Sequence, residues 1–190
     1  MTQYLFRSEP LNLIIGGGYF KGEGNTDINT TLDLGLGDPL VSSFPFRDDI
    51  RHTNFYLYSL SSLPLSATLI IGGSADLYRD REKVIDKLLE RNQFNPKFGL
   101  IWNPVPSTTF RMAGFRVMKR ALIANETIEP TQVAGFLQFF DDFNATDSKV
   151  YGIGLDQKFS SNLSGGIEFT RRDLDLPKID VSSGDIFEEN

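Results

Sequence analysis

Apolar and polar side chains alternate along much of this chain. In the segment Ala67–Tyr78, Ala67, Leu69, Ile71, Gly73, Ala75 and Leu77 fall on one side. Thr68, Ile70, Gly72, Ser74, Asp76 and Tyr78 fall on the other. Alternation with period two predicts a β-strand, because successive side chains leave opposite faces of the pleat. The same pattern recurs in Gln3–Arg7, Leu11–Lys21, His52–Ser61, Gln93–Trp102, Thr108–Met118, Tyr151–Phe159 and Leu163–Arg172. Phe94, Phe98, Leu100 and Trp102 share a side, as do Phe110, Met112 and Gly114, and Ile153 with Leu155.

The connections alternate in length. Tight turns are expected at Ser8-Glu9-Pro10, Leu63-Pro64-Leu65, Asn103–Ser107 and Ser160-Ser161-Asn162. Long polar connections are expected over 22–49, 79–92 and 119–148, with Val84, Ile85, Leu88 and Leu89 at the spacing of a short amphipathic helix. Thr131–Asp142 is strand-like, but a crossing there would put the next tight turn on the wrong rim. The whole of 119–148 is therefore read as one external excursion carrying an ordered piece. Short turns on one rim and long loops on the other are the pattern of outer-membrane barrels. The fold class expected is all-β: an antiparallel up-and-down transmembrane β-barrel fragment of about eight strands, not closed alone.

The 190 residues carry a formal net charge of −6, which argues against a general nucleic-acid binder. Cysteine is absent, so neither disulfides nor thiolate metal sites hold the fold. No run of about eighteen apolar residues predicts a spanning helix, and barrel strands need none. The N-terminus Met1–Arg7 lacks the basic start and apolar core of a secretory signal, and Gly184–Asn190 ends in polar, loop-like sequence. Residues 1–190 are accordingly read as a single barrel segment from within a longer protein.

Candidate chemistry adds little. Gly16-Gly17-Gly18 lacks the Gly-Lys-Ser/Thr of a phosphate loop and reads as a place of close backbone approach. Asp142–Ile153 starts like a calcium loop but has Asp147 and Ile153 where glycine and glutamate are needed. His52, the single histidine, is read as a polar residue at a strand end; a triad would have to use it, and nothing singles out a nucleophile. No catalytic residue, metal or cofactor is expected. Asp76, Lys97, Asp156, Lys158, Glu168 and Arg172 lie opposite the apolar sides and are predicted to face the lumen. Arg111, Arg116, Lys119, Arg120, Arg171 and Arg172 are read as balancing lumen carboxylates; the rival reading is contact with lipopolysaccharide phosphates. Trp102 and Tyr151, near strand ends, suit an interfacial aromatic girdle.

The stretch Asn92–Pro104 (NQFNPKFGLIWNP), followed by Ser107–Arg111 (STTFR), resembles a strand–turn–strand of the barrel of TonB-dependent outer-membrane receptors. Thr127–Phe136 (TIEPTQVAGF) resembles the segment after it. The likeness covers Gln93–Asp173 and extends equally to the barrel domains that follow tetratricopeptide repeats in some proteobacterial proteins. It implies uptake or export of a solute or polymer across the bacterial outer membrane. The partners implied are outer-membrane lipid, including lipopolysaccharide, and a periplasmic energy-coupling or repeat domain. Two receptor hallmarks, the plug with its coupling box and a terminal aromatic strand, are missing from the residues at hand.

The rival expectation is a soluble β-barrel or sandwich that binds a ligand or partner. Orientation separates the two. In a membrane barrel Leu69, Ile71, Ile153, Leu155, Ile167 and Phe169 form an exposed belt; in a soluble fold they interlock in a core.

Overall fold

The computed structural model describes residues 1–32, 40–84, 86–120, 128–179 and 186–189. Its strands are β1 (Thr2–Arg7), β2 (Leu11–Leu32), β3 (Leu40–Leu63), β4 (Ala67–Glu82), β5 (Lys87–Val105), β6 (Thr108–Met118), β7 (Gln132–Val133), β8 (Phe136–Leu137), β9 (Asp147–Lys158), β10 (Ser164–Ile179) and β11 (Ile186–Glu189). Nine of them form one antiparallel up-and-down sheet in the order β1-β2-β3-β4-β5-β6-β9-β10-β11. The eight segments marked by alternation are all strands of this sheet. Among the described residues the edges β1 and β11 do not pair with each other, so the sheet is open. The polar end of the chain is not all loop: Ile186–Glu189 pairs with Leu176–Ile179.

Short turns (Ser8–Pro10, Pro64–Ser66, Pro106–Ser107 and Phe159–Leu163) lie on one rim, and the longer connections on the other. The longer connections are less irregular than their composition suggests. In 22–49, β2 and β3 stay paired from Leu11↔Ser61 to Leu32↔Leu40, and 33–39 lies outside the described residues. In 79–92 there is no helix among the described residues. β4 and β5 remain in register to Glu82↔Lys87, and Asp86 turns the chain at φ 51°. Leu88 and Leu89 sit on opposite faces of β5: Leu88 is exposed, while Leu89 packs against a cluster of Tyr78, Met118 and Ala145. Continued ladder hydrogen bonding outweighs local propensity here, as strand context commonly does. Ile85 lies outside the described residues.

The 119–148 connection neither crosses the sheet nor stands away from it. Residues 121–127 lie outside the described residues; from Glu129 the chain lies along one sheet face. Its β7–β8 hairpin turns at Ala134 (φ 50°) and Gly135 (φ 87°). Positive φ at both central residues defines the mirror-image tight turn that suits a twisted hairpin. Val133, Ala134 and Phe136 join Tyr56, Tyr58, Ile70, Ala113, Phe115 and Val150 in the main buried cluster. This is the covered face of the sheet; the opposite face is bare.

Two wall glycines make the seat. A Cβ on Gly152 would stand 2.4 Å from the Phe136 ring, and one on Gly99 would meet Val133 at 2.9 Å and Ala134 at 3.0 Å. Gly16 has the same role for a neighbouring side chain, since a Cβ there would lie 2.4 Å from the Tyr56 hydroxyl. That is the close approach expected of the triple glycine.

The β5–β6 ladder has a limit that matters below. It runs from Val105↔Thr108 to Lys97↔Phe115 and stops at Pro96, which has no N–H to donate. β6 continues to Met118 paired only with β9, so β5 and β6 part company above this point.

Candidate functional site

The sheet is polar where it is covered and apolar where it is bare. On the bare face Phe94, Phe98, Trp102, Phe110, Met112, Tyr151, Ile153, Ile167, Phe169 and Ile71 are all at least 40% exposed. Leu69 and Leu155 are half-buried members of the same face. One row of register partners reads Leu11–Ser61–Leu69–Leu100–Met112–Ile153–Phe169 across seven strands. At about 4.8 Å per strand that row is roughly 29 Å wide. Monomeric soluble proteins rarely expose contiguous apolar patches beyond a few hundred Å². Trp102 stacks on Phe110 (ring centroids 5.6 Å apart) at the short-turn end and donates its indole N–H to Leu65 O at 3.2 Å.

The covered face carries a buried charged network. Alternation on β3, β4 and β5 turns His52, Asn54 and Tyr58, then Ser74 and Asp76, then Gln93, Asn95 and Lys97 toward the overlying segment. Asp76 is fully buried and accepts from Asn95 Nδ2 at 2.6 Å and Arg120 Nε at 3.0 Å, with His52 Nε2 at 2.8 Å from its Oδ1. Arg120 bridges on to Glu129, whose other oxygen accepts from the Tyr58 hydroxyl at 2.6 Å. Lys97 Nζ lies 3.9 Å from Glu129 and donates to Arg116 O at 3.3 Å. Gln138 ties the hairpin in, donating to the Tyr58 hydroxyl at 3.0 Å and to Pro130 O at 2.7 Å. Arg120 and Glu129 belong to the overlying segment and Asp76, Lys97 and Tyr58 to the wall, so the ion pairs fasten one to the other. The charges are buried, and buried charges persist only when paired and hydrogen-bonded.

The residues predicted for the lumen divide into separate groups. Asp76 and Lys97 meet in this network. Asp156 and Glu168 meet Arg111, whose Nε donates to Asp156 at 2.6 Å and Nη2 to Glu168 at 3.2 Å. Arg111 also lies over the Phe136 ring, 5.1 Å from its centroid. Arg172 pairs with Asp142 at 2.6 Å and lies over Phe140 at 3.5 Å, again joining wall to overlying segment. Lys158 ends β9 at the short-turn rim, exposed and outside these clusters. Of the six cations read as charge-balancing, Arg111 pairs with Asp156 and Glu168 and Arg120 with Asp76, while Arg116, Lys119, Arg171 and Arg172 pair with other carboxylates, Asp147, Asp141, Asp173 and Asp142. His52 is not at a strand end: β3 continues through it in both directions, and the ring is 6% exposed.

Glu129 and Gln138 give no signal in the sequence because both sit in a connection, where a lone polar residue carries no pattern. Asn54, Gln93 and Asn95 are legible, since each stands beside an exposed aromatic, Phe55 or Phe94, whereas His52, between Arg51 and Thr53, carries no such signal. Among the described residues no group of three or more His, Cys, Asp or Glu is arranged to hold a metal. Comparison with protein-family models and with curated proteins yields no match to this sequence.

Proposed function

We propose that this chain is part of the wall of a bacterial outer-membrane β-barrel that serves passage, by uptake or export, of a solute or polymer. The observation that carries this reading is the inversion of polarity: aromatic and aliphatic side chains are bare, while Asp76, Lys97, Arg120 and Glu129 are buried. A bilayer stabilises that arrangement and water does not. The segregation of short turns to one rim supports it, as does the resemblance of Gln93–Asp173 to receptor and repeat-associated barrels. The covered face supplies the polar lining, and the β7–β8 hairpin narrows the passage beside it. The long connections select what enters. No covalent step is assigned to the chain.

Reconstitution tests this reading. The chain is expected to require detergent or bilayer for a folded state and to raise efflux of a small entrapped solute from vesicles. Ile153→Lys, at the middle of the bare face, is expected to lower stability in a bilayer by about 2–4 kcal/mol, the cost of a cation near the midplane of a barrel wall. A folded, detergent-free monomer that tolerates Ile153→Lys would mean a soluble binding domain.

On this reading the ends of β3 and β4 beyond Leu77 project past the bilayer. Burial, then the Glu82 charge, raises the Asp48 carboxyl above its usual 3.8; burial, then Asp48, does the same for Asp80. A carboxyl whose folded pKa is raised favours the folded state more as pH falls through that pKa. The β3–β4 extension is therefore expected to gain hydrogen-exchange protection at Ile50 as pH drops from neutrality toward 4. Loss of protection over that range would contradict this account of burial and acidic neighbours.

A further inference from the structure

We propose that the wall contains a lateral portal between β5 and β6, a seam facing the bilayer that is shut by side chains where a backbone ladder would otherwise close it. This inference rests on the membrane reading above and gives the passage a sideways mouth. Among the described residues, β5–β6 is the shortest of the ladders joining β2 to β10. It runs only from Val105↔Thr108 to Lys97↔Phe115, with an irregularity between Trp102 and Val105. The flanking ladders reach further along the same two strands: β4–β5 holds Lys87–Trp102 in continuous register, and β6–β9 holds Thr108–Met118. Pro96 has no N–H with which to continue the β5–β6 ladder, and an unpaired strand edge in hydrocarbon is costly. The parting shows on the bare face as a groove of about 490 Å³. Exposed Phe94, Phe98 and Tyr151 flank it, below the Leu77↔Asn92 level at which the strands leave the bilayer.

Side chains span the seam above Lys97. Lys97 of β5 donates through Nζ to Arg116 O of β6 at 3.3 Å. The buried Asp147, at the start of β9, is the clasp: its carboxylate accepts from Gln93 Nε2 of β5 at 2.9 Å and from Arg116 Nη2 of β6 at 2.6 Å. Met118 of β6 packs with Tyr78 and Leu89 from the other side of the seam. Local opening begins where backbone pairing is thinnest, and a few side-chain contacts yield before a ladder shared with two neighbours does. The lower part of the seam is braced from within. Val133 and Ala134 sit over Gly99 of β5, while Phe136 sits over Gly152 of β9 and meets Arg111 of β6. The hairpin thus bridges the paired stretch and confines opening to the part above it. Release of the clasp joins the polar covered face to the bilayer without passing either rim.

The test uses the full chain in vesicles of an uncharged lipid, with one cysteine introduced into a sequence that has none. The probe is a maleimide on a long acyl chain, which stays in the bilayer. Val117→Cys lies on the covered side of β6 beside the seam; Ser74→Cys lies on the covered side of β4, between two continuous ladders, and both positions are buried. The acyl maleimide is expected to label Val117→Cys faster than Ser74→Cys. Adding Gln93→Leu, which cuts the β5 arm of the clasp and leaves Asp147 its arginine, is expected to speed the first roughly tenfold and leave the second unchanged, in keeping with loss of one hydrogen bond to a charged group. Asp147→Asn gives the same direction should Gln93→Leu fail to fold. Equally slow labelling at both positions, or an equal rise at both when the clasp is cut, overturns the portal. So does a water-soluble maleimide that labels Val117→Cys as fast as the acyl form, since access would then come from the lumen. Failure of the wild-type chain to fold in the vesicles would sink the membrane reading itself.

Discussion

Gly152→Val is expected to unseat the β7–β8 hairpin while leaving the sheet paired. The position belongs to β9, between β6 and β10, and valine suits a strand, so local propensity favours the change. Its side chain would enter space that Phe136 fills, since even a Cβ lies 2.4 Å from two ring carbons. Those atoms belong to a fully buried ring, and the backbone on both sides is held in ladders with Ala113 and Thr170, so neither partner yields cheaply. Overpacking costs about 1–3 kcal/mol when the core absorbs it, and loss of a buried phenylalanine costs about 3–5 kcal/mol. Detachment of the hairpin is the alternative to overpacking and also forfeits the packing of Val133 and Ala134 on Gly99. The measurement is thiol labelling of Ala134→Cys, in a chain with no other cysteine, with and without Gly152→Val. Labelling is expected to be slow in the parent and fast in the variant. Phe136→Ala in the Gly152→Val background is expected to restore slow labelling, because it empties the space the valine needs. Equal rates in all three would show that the glycine is not the seat.

That seat marks the limit of what the sequence reveals. The strands were legible because each carries its apolar residues on one side, and the row through Leu69, Leu100, Met112 and Ile153 reproduces that alternation. Which way the sides face was legible only conditionally: the same pattern serves a membrane wall and a soluble core. The continuation of β2–β3 and β4–β5 was hidden by composition. Glycine, asparagine and charged residues at 22–32 and 79–92 resemble loop, while cross-strand pairs such as Arg79–Glu90 hold them in register. The overlying segment was hidden for another reason. Its Gly135 and Glu129 acquire meaning only against Arg111, Arg120 and Tyr58, which are distant or unpatterned in sequence. Asp76 and Lys97 could be placed on the polar side of their strands, but not with each other, because the carboxylate that Lys97 approaches lies outside the sheet.

Arg120→Ala is expected to be the most damaging single substitution in the covered network, and the reason is what it leaves behind. The guanidinium lies between Asp76 and Glu129, both nearly inaccessible, and donates to each. Without it, Asp76 keeps His52 and Asn95, and Glu129 keeps Tyr58, but two carboxylates remain buried with far less positive charge between them. Breaking a buried ion pair from one side costs about 3–5 kcal/mol, whereas removing all the charges together is often close to neutral. Arg120→Lys recovers only part of the loss, because one ammonium cannot span the two carboxylates as the planar fork does. Arg120→Met combined with Asp76→Asn and Glu129→Gln is expected to regain part of it, the remainder being the cost of the buried Lys97, which then lacks its Glu129 partner. Equilibrium unfolding in detergent, read by tryptophan fluorescence from Trp102 outside the network, orders these three variants against the parent. If the triple variant falls as far as Arg120→Ala, the arginine is needed for its shape and stacking on Phe139 (5.3 Å to the ring centroid), and not for its charge. If it recovers, the ion pairs specify where the overlying segment sits more than they stabilise it, and thiol labelling of Ala134→Cys in the triple variant should then speed up although the sheet stays folded.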